Sequence, residues 1–229
     1  MATSCDAKNS YFPHVSSRLV NSMHDKARIG ILGSGTGSNM VALAEACRDG
    51  SLAADVVMVV SDVADAGILA RAESQGIPCR FISPGGYRTK LSDTAESQYI
   101  NVFKKADVDW VILAGFMRIL KGDFLKAFVN RVVNIHPSLL PSFPGLDAWQ
   151  QALDYGVKFT GCTVHFVDQG IDTGPIILQE TVPVMDDDTP QTLHRRIQDA
   201  EHQLYPAALR LAVDDQLHIQ GRHCRRTRP

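Results

Sequence analysis

The chain has 229 residues, about 45% of them apolar, and a formal net charge of −2. That length buries the core of one large domain or two small ones, a single α/β domain being the simplest fit, and the charge balance gives no sign of a nucleic-acid or membrane surface. Five cysteines (Cys5, Cys47, Cys79, Cys162, Cys224) are scattered without a CxxC pair, which argues against a disulfide framework and for a reducing cytoplasm. No apolar run approaches the ~18 residues of a membrane span, and residues 1–27 lack the basic-then-apolar order of a secretory signal. The organisation expected is a polar, aperiodic extension over 1–27, a domain over 28–220, and a basic solvated tail over 221–229 that carries Arg222, Arg225, Arg226 and Arg228.

From Arg28 onward, short β-branched runs alternate with helical patterns, the signature of βαβ units around a mainly parallel sheet. "RIGILG" reads as the first strand, followed by a glycine turn and a helix from about Ser38 to Arg48 whose apolar Met40, Val41, Leu43, Ala44 and Cys47 share one face. "ADVVMVVSD" is continuously apolar, as a strand covered on both faces should be. A helix near 66–75, the short strand "CRFIS", a helix across 91–106 and the strands "DWVILAG" and "RVVNIH" extend the alternation. Then the rhythm changes. "FTGCTVHFV" and "GPIILQETVPV" read as two strands facing each other across "DQGIDT", "TPQTLHRRIQDAEHQLYPAALRLAV" as a long amphipathic helix from a Thr cap, and "QLHIQ" as a closing strand.

The turn "GSGTGSN" follows the first strand and opens a helix, where backbone N–H groups and the positive helix end favour an anion such as phosphate. A dinucleotide fingerprint, with Asp62 as the ribose-holding acid, is the alternative. Its third glycine falls on Ser38 counting from Gly33 and Gly35, and on Met40 counting from Gly35 and Gly37, so the fingerprint fails in both registers. No GK[ST] ending marks a nucleotide P-loop either, and a tight turn that needs glycine for its backbone angles alone would look the same.

Asn134 and His136 share parity on a strand, so their side chains leave one side of its C-terminal end, the rim where ligands gather in open α/β sheets. A carboxamide can donate to a developing oxyanion, and an imidazole can do the same as a cation or move a proton; the pair suits acyl or formyl transfer. Pro137 and Pro141 restrict the loop that follows. Asp172, between glycines in "GIDTGP", would stabilise the imidazolium and raise its pKa if brought beside His136, although an Asp so placed also reads as a plain turn residue. His165 is a weaker candidate for the same cleft. His194 and His202 lack metal-site spacing, so no metal is expected, and no GxSxG elbow points to serine hydrolysis.

Taken in order, "GSGTGSN", "LAGFMRIL", "NIHPSLLPSFPG", "GCTVHFVDQGIDTGPIILQ" and "AEHQLYP" give the chain from about Arg28 to Leu217 a resemblance to the phosphoribosylglycinamide formyltransferase family of purine biosynthesis. The resemblance implies a Rossmann-like formyltransferase fold, with a mainly parallel central sheet, helices on both faces, and a C-terminal hairpin plus long helix. It also implies transfer of a formyl group from 10-formyltetrahydrofolate, as co-substrate, to the amine of glycinamide ribonucleotide, with no tightly bound cofactor. By motif, Asn134, His136 and Asp172 resemble the catalytic trio, with protonated His136 and Asn134 steadying the oxyanion. Gly37, Ser38 and Asn39 resemble the turn that holds the substrate phosphate, and Glu201 the group that receives the glycyl end. Met117, Arg118, Ile119 and Leu120 resemble the strip that clasps the pterin by main-chain contacts, Asn134 also faces the folate, and Arg88 matches a folate-contacting Arg. The partners implied are these small molecules, not nucleic acid or membrane, for a cytoplasmic monomer or homodimer. Methionyl-tRNA formyltransferase and formyltetrahydrofolate deformylase are related patterns with an additional domain, and a phosphate-ligand sensor without chemistry is the reading from another class.

Overall fold

The computed structural model describes residues 26–227. In chain order it contains β1 (Ala27–Leu32), α1 (Ser38–Arg48), β2 (Ala54–Ser61), α2 (Gly67–Ser74), β3 (Cys79–Phe81), α3 (Asp93–Lys105), β4 (Trp110–Leu113), α4 (Gly122–Ala127), β5 (Val132–His136), α5 (Ala148–Tyr155), β6 (Phe159–Phe166), β7 (Ile176–Pro183), α6 (Pro190–Val213), β8 (Leu217–Gln220) and β9 (His223–Arg226). A seven-stranded sheet runs in the order β3-β2-β1-β4-β5-β6-β7. Strands β1 to β5 pair in parallel, whereas β6 is antiparallel to β5 and β7 to β6.

Strands buried on both faces explain the continuous apolar runs. Ile29, Ile31, Trp110, Ile112, Val133 and Ile135 point to one face, into a cluster completed by α1, α2 and α6. Their neighbours Leu32, Val111, Leu113 and Val132 point to the other, against Tyr99 and Phe103 of α3 and Phe124 and Leu125 of α4. Helix starts follow their caps. Ser92 accepts from the Ala95 amide at the head of α3, and Thr189 and Thr192 bond reciprocally at the head of α6, with Pro190 in its first turn.

The glycine turn is shaped by sterics. Gly37 precedes α1 with φ 85°, and a Cβ built there would lie 2.7 Å from the Ile68 Cα of α2. Gly37→Ala is therefore expected to destabilise the fold by about 2 kcal/mol, measurable as a lowered urea midpoint at unchanged m-value.

Three local features differ from the sequence expectation. Helices α4 and α5 occupy stretches with no helical reading, and β1 begins at Ala27, one residue early. The arginine-rich end is not a free solvated tail as far as Arg226. His223–Arg226 pairs antiparallel with Leu217–Gln220, placing Cys224 against Ile219 while Arg225 and Arg226 stay exposed. The extension expected over residues 1–27 lies, up to residue 25, outside the described residues.

Candidate active site

Adjacent parallel strands β1, β4 and β5 each end in a segment of interest. These are the glycine turn after Leu32, the strip 114–120 after Leu113, and the Asn134–His136 end of β5 itself. Antiparallel β6 then sets the environment of the polar pair. Asn134 lies directly opposite His165, and His136 opposite Thr163. Directly opposed residues share a face, so Asn134 Nδ2 reaches His165 Nε2 at 3.1 Å. His165 Nδ1 is 2.8 Å from the Phe166 carbonyl oxygen. A carbonyl only accepts, so Nδ1 carries the hydrogen, and in that tautomer Nε2 accepts from the Asn134 amide. One amide hydrogen of Asn134 is thereby spent and the other left for a ligand. The β6–β7 register slips between Val164 and His165, a bulge of the kind that re-aims side chains beside a site.

Asp172 arrives on the loop between β6 and β7. Its φ of 54° is left-handed, a conformation Asp tolerates better than most residues. Gly174 lets the loop close, since a Cβ there would sit 1.7 Å from the Phe166 carbonyl oxygen. Asp172 Oδ2 lies 3.4 Å from His136 Nδ1 and Oδ1 3.7 Å from His165 Nε2, and Oδ2 accepts from the Gly145 amide at 2.8 Å. Burial alone would raise this carboxyl's pKa. The His165 and His136 rings and the Gly145 amide outweigh burial and hold it below the ordinary carboxylate value.

His136 is 5% exposed, and its Nε2–H donates to the Phe143 carbonyl at 2.8 Å. Burial lowers its pKa, and the opposing pull of Asp172 and of the Phe143 carbonyl is the smaller effect. In the ligand-free protein burial therefore favours the neutral imidazole, while the neighbouring Asp172 favours the cation. The loop beyond is rigid for reasons additional to its prolines. Ser138 Oγ donates to Ser142 O, Thr163 Oγ1 donates to Ser138 O and accepts from Leu140 N, and Gln179 Nε2 donates to Leu140 O.

Around the glycine turn, Gly37 and Asn39 are buried and Ser38 is half-buried. The Asn39 side chain turns inward and donates to Glu201 Oε2 at 2.8 Å, leaving its own Oδ1 buried without a partner. Tyr205, one turn along α6 from Glu201, donates to the carbonyls of Leu113 and Val133 and pins the helix across β4 and β5. Burial pushes the Glu201 carboxyl up to about 7, the Asn39 amide only partly offsetting it. A carboxyl with a raised folded pKa holds its proton more tightly when folded, so stability falls between pH 4.5 and about 7 and levels off above. Glu201→Gln, a neutral mimic, is expected to add about 3 kcal/mol of stability at pH 8 and little below pH 4. Denaturant titrations at both pH values check this; equal gains would contradict it.

The remaining residues assigned by resemblance lie along the strip 117–120 and the loop before α3. Met117 and Arg88 are exposed, Leu120 is buried, and Arg118 and Ile119 are half-buried. Met117 N donates to Ser34 Oγ and Ile119 N to Thr89 O, so two strip amides are already engaged within the protein. Ser34, Thr163 and Gln179 were not legible as site residues, Asp62 only as the ribose acid of the rejected dinucleotide pattern, and His165 only as a weak candidate; strand register, which brings it onto Asn134, is a tertiary property. Among the described residues no group of three or more His, Cys, Asp or Glu is placed to hold a metal ion, and no helix is long and apolar enough to cross a membrane.

Comparison with known proteins adds an independent line. A sequence model described as formyl transferase matches residues 27–209. The trifunctional purine biosynthetic protein adenosine-3 of Bos taurus is 46% identical over 202 residues, 87% of this chain and 20% of that protein, so the chain spans about a fifth of that relative's length. The phosphoribosylglycinamide formyltransferase of Bacillus subtilis (strain 168) is 38% identical over 183 residues, covering 80% of this chain and 93% of the relative. The solved structure of glycinamide ribonucleotide transformylase 1 from Symbiobacterium toebii matches with a TM-score of 0.85 at 46% identity, covering 93% of this chain and 100% of that one.

Proposed function

Because the chain belongs to the formyl transferase family, we propose that it passes the formyl group of 10-formyltetrahydrofolate to the amine of glycinamide ribonucleotide, a step of purine biosynthesis. The observation that carries this reading is the convergence of Asn134, His136 and Asp172, with His136 Nδ1 3.4 Å from Asp172 Oδ2, on the strand rim shared with the glycine turn. Both ligands are small molecules, and the scheme involves neither nucleic acid nor a membrane, nor a metal or tightly bound cofactor. The protein works in the cytoplasm as a monomer or homodimer.

In this reading the backbone amides of Gly37, Ser38 and Asn39, at the positive end of α1, receive the substrate phosphate. Glu201 receives the glycyl end, and the folate lies along Met117, Arg118, Ile119 and Leu120, near Arg88 and Asn134. The neutral amine attacks the formyl carbon; a C–N bond forms while the carbonyl electron pair moves onto oxygen. Asn134 donates its spare amide hydrogen to that oxygen. The imidazole, its neutral form favoured by burial, takes up the proton shed by the attacking nitrogen. The imidazolium so formed faces the Asp172 carboxylate, which steadies it. Collapse of the intermediate breaks the bond to the folate nitrogen, which receives the proton from His136 directly or through one water, leaving tetrahydrofolate and the formylated amine.

The test is an assay with both ligands. Tetrahydrofolate absorbance is expected to appear only when glycinamide ribonucleotide is present. Formate release without the acceptor would indicate a deformylase instead, and absence of any folate change across pH would reject formyl transfer altogether.

A further inference from the structure

Asp62, the residue a dinucleotide reading would place on a ribose, is committed elsewhere. It follows β2, and its side chain is 1% exposed. Oδ1 accepts from Ser34 Oγ at 2.5 Å, and Oδ2 from Arg118 Nε at 2.7 Å. Each partner reaches further. Ser34 opens the glycine turn and its Oγ accepts from the Met117 amide at 2.9 Å. Arg118 Nη1 donates to the carbonyl oxygens of Tyr87 and Arg88. One carboxylate thus ties three other segments together: the glycine turn, the strip 117–120, and the loop before α3. The Arg118 side chain is turned inward by this arrangement.

We propose that Asp62 is a positioning residue for the formyl donor. Its carboxylate, clamped between Ser34 and Arg118, sets the height and angle of the strip 117–120 and of the Arg88 loop, the two segments that hold the folate in the function proposed above, and the inference rests on that function. A buried carboxylate with both oxygens hydrogen-bonded, one of them to a half-buried guanidinium, is a stiff support, because without Arg118 the charge on Asp62 would be buried and uncompensated. The acceptor side depends on it less. The glycine turn has its own anchors in Ser34 N to Gly115 O at 3.0 Å, Ile68 N to Gly35 O at 3.0 Å and Val41 N to Gly37 O at 3.1 Å. The strip keeps one backbone tie to the neighbouring loop, Ile119 N to Thr89 O at 2.8 Å, but its side-chain tie there and its tie to Asp62 both run through Arg118, so the effect of losing the clamp should fall on the donor.

The experiment is steady-state kinetics with 10-formyltetrahydrofolate and glycinamide ribonucleotide on the full chain, for the parent, Asp62→Asn, and the double variant Asp62→Ala with Arg118→Met. The double variant removes both charges together, so it leaves no lone buried ion to unfold the chain. It is expected to raise the donor KM about tenfold or more, while kcat and the acceptor KM stay within about threefold. Asp62→Asn keeps an acceptor for Arg118 and can donate to Ser34, so it should restore the donor KM to within about threefold of the parent. A merely structural role would move both KM values and kcat together, with no selective rescue by the carboxamide. A donor KM within twofold of the parent in the double variant, or an equal rise in both KM values, overturns the inference. A parent protein that turns over neither ligand would instead overturn the functional reading, and this inference with it.

Discussion

His136→Ala is expected to slow formyl transfer by about two to three orders of magnitude while the chain remains folded. In the proposed mechanism this ring carries the proton from the attacking nitrogen to the folate nitrogen, and general acid–base catalysis by one positioned group typically contributes about 10²–10⁴-fold. The fold should survive. The ring's hydrogen bond is to the Phe143 carbonyl, which keeps a long 3.4 Å contact from Ser138 Oγ, and the Asp172 carboxylate beside it keeps the Gly145 amide at 2.8 Å. Denaturant titration should therefore show a loss of about 1–2 kcal/mol, the ordinary size for a buried substitution. A stopped-flow rate within tenfold of the parent would remove His136 from the chemistry.

The second large effect concerns Asp172→Asn, expected to lower kcat about a hundredfold with little change in either KM. Asparagine tolerates the left-handed backbone found at this position, φ 54°, and its carboxamide oxygen can still accept from Gly145 N, so loop geometry is retained. What disappears is a negative charge 3.4 Å from one imidazole and 3.7 Å from another. Burial already biases His136 toward its neutral form. Without the carboxylate, the imidazolium formed during reaction has no counter-charge on its Nδ1 side, and the penalty appears in the transition state rather than in binding. An unchanged kcat would leave Asp172 as a turn residue only.

How far the sequence alone reached depended on whether a feature is local. Strands β1, β2, β4 and β5 were legible because burial on both faces writes itself as an unbroken apolar run, and α6 because a Thr cap precedes a long amphipathic pattern. Helix α5 was not legible, since its eight residues enter from a left-handed Asp147 that makes no side-chain cap. Strand β9 was hidden in an arginine-rich run, because its pairing with β8 is a matter of a partner rather than of composition. At the site, the common side of Asn134 and His136 followed from strand parity. That His165 orients the Asn134 amide did not, since it depends on the β5–β6 register. Nor did the downward pull of burial on the His136 pKa. A carboxylate neighbour argues for the cation, and only the depth of burial, a property of the assembled core, reverses that expectation.

Asp62 illustrates the same division from the other side. Its place after β2 is visible in the sequence, and an acid there fits a ribose in the dinucleotide pattern. Its use as a clamp between Ser34 and Arg118 emerges only once β1, β2 and β4 lie side by side.

Single-turnover formyl transfer in His136→Ala, Asp172→Asn and the double variant tests most directly whether the imidazole and carboxylate work as one unit. Residues that act together are strongly non-additive, so the double variant should react at about the rate of His136→Ala alone. If the two losses multiply instead, Asp172 acts independently of the ring, and the account of the site is wrong.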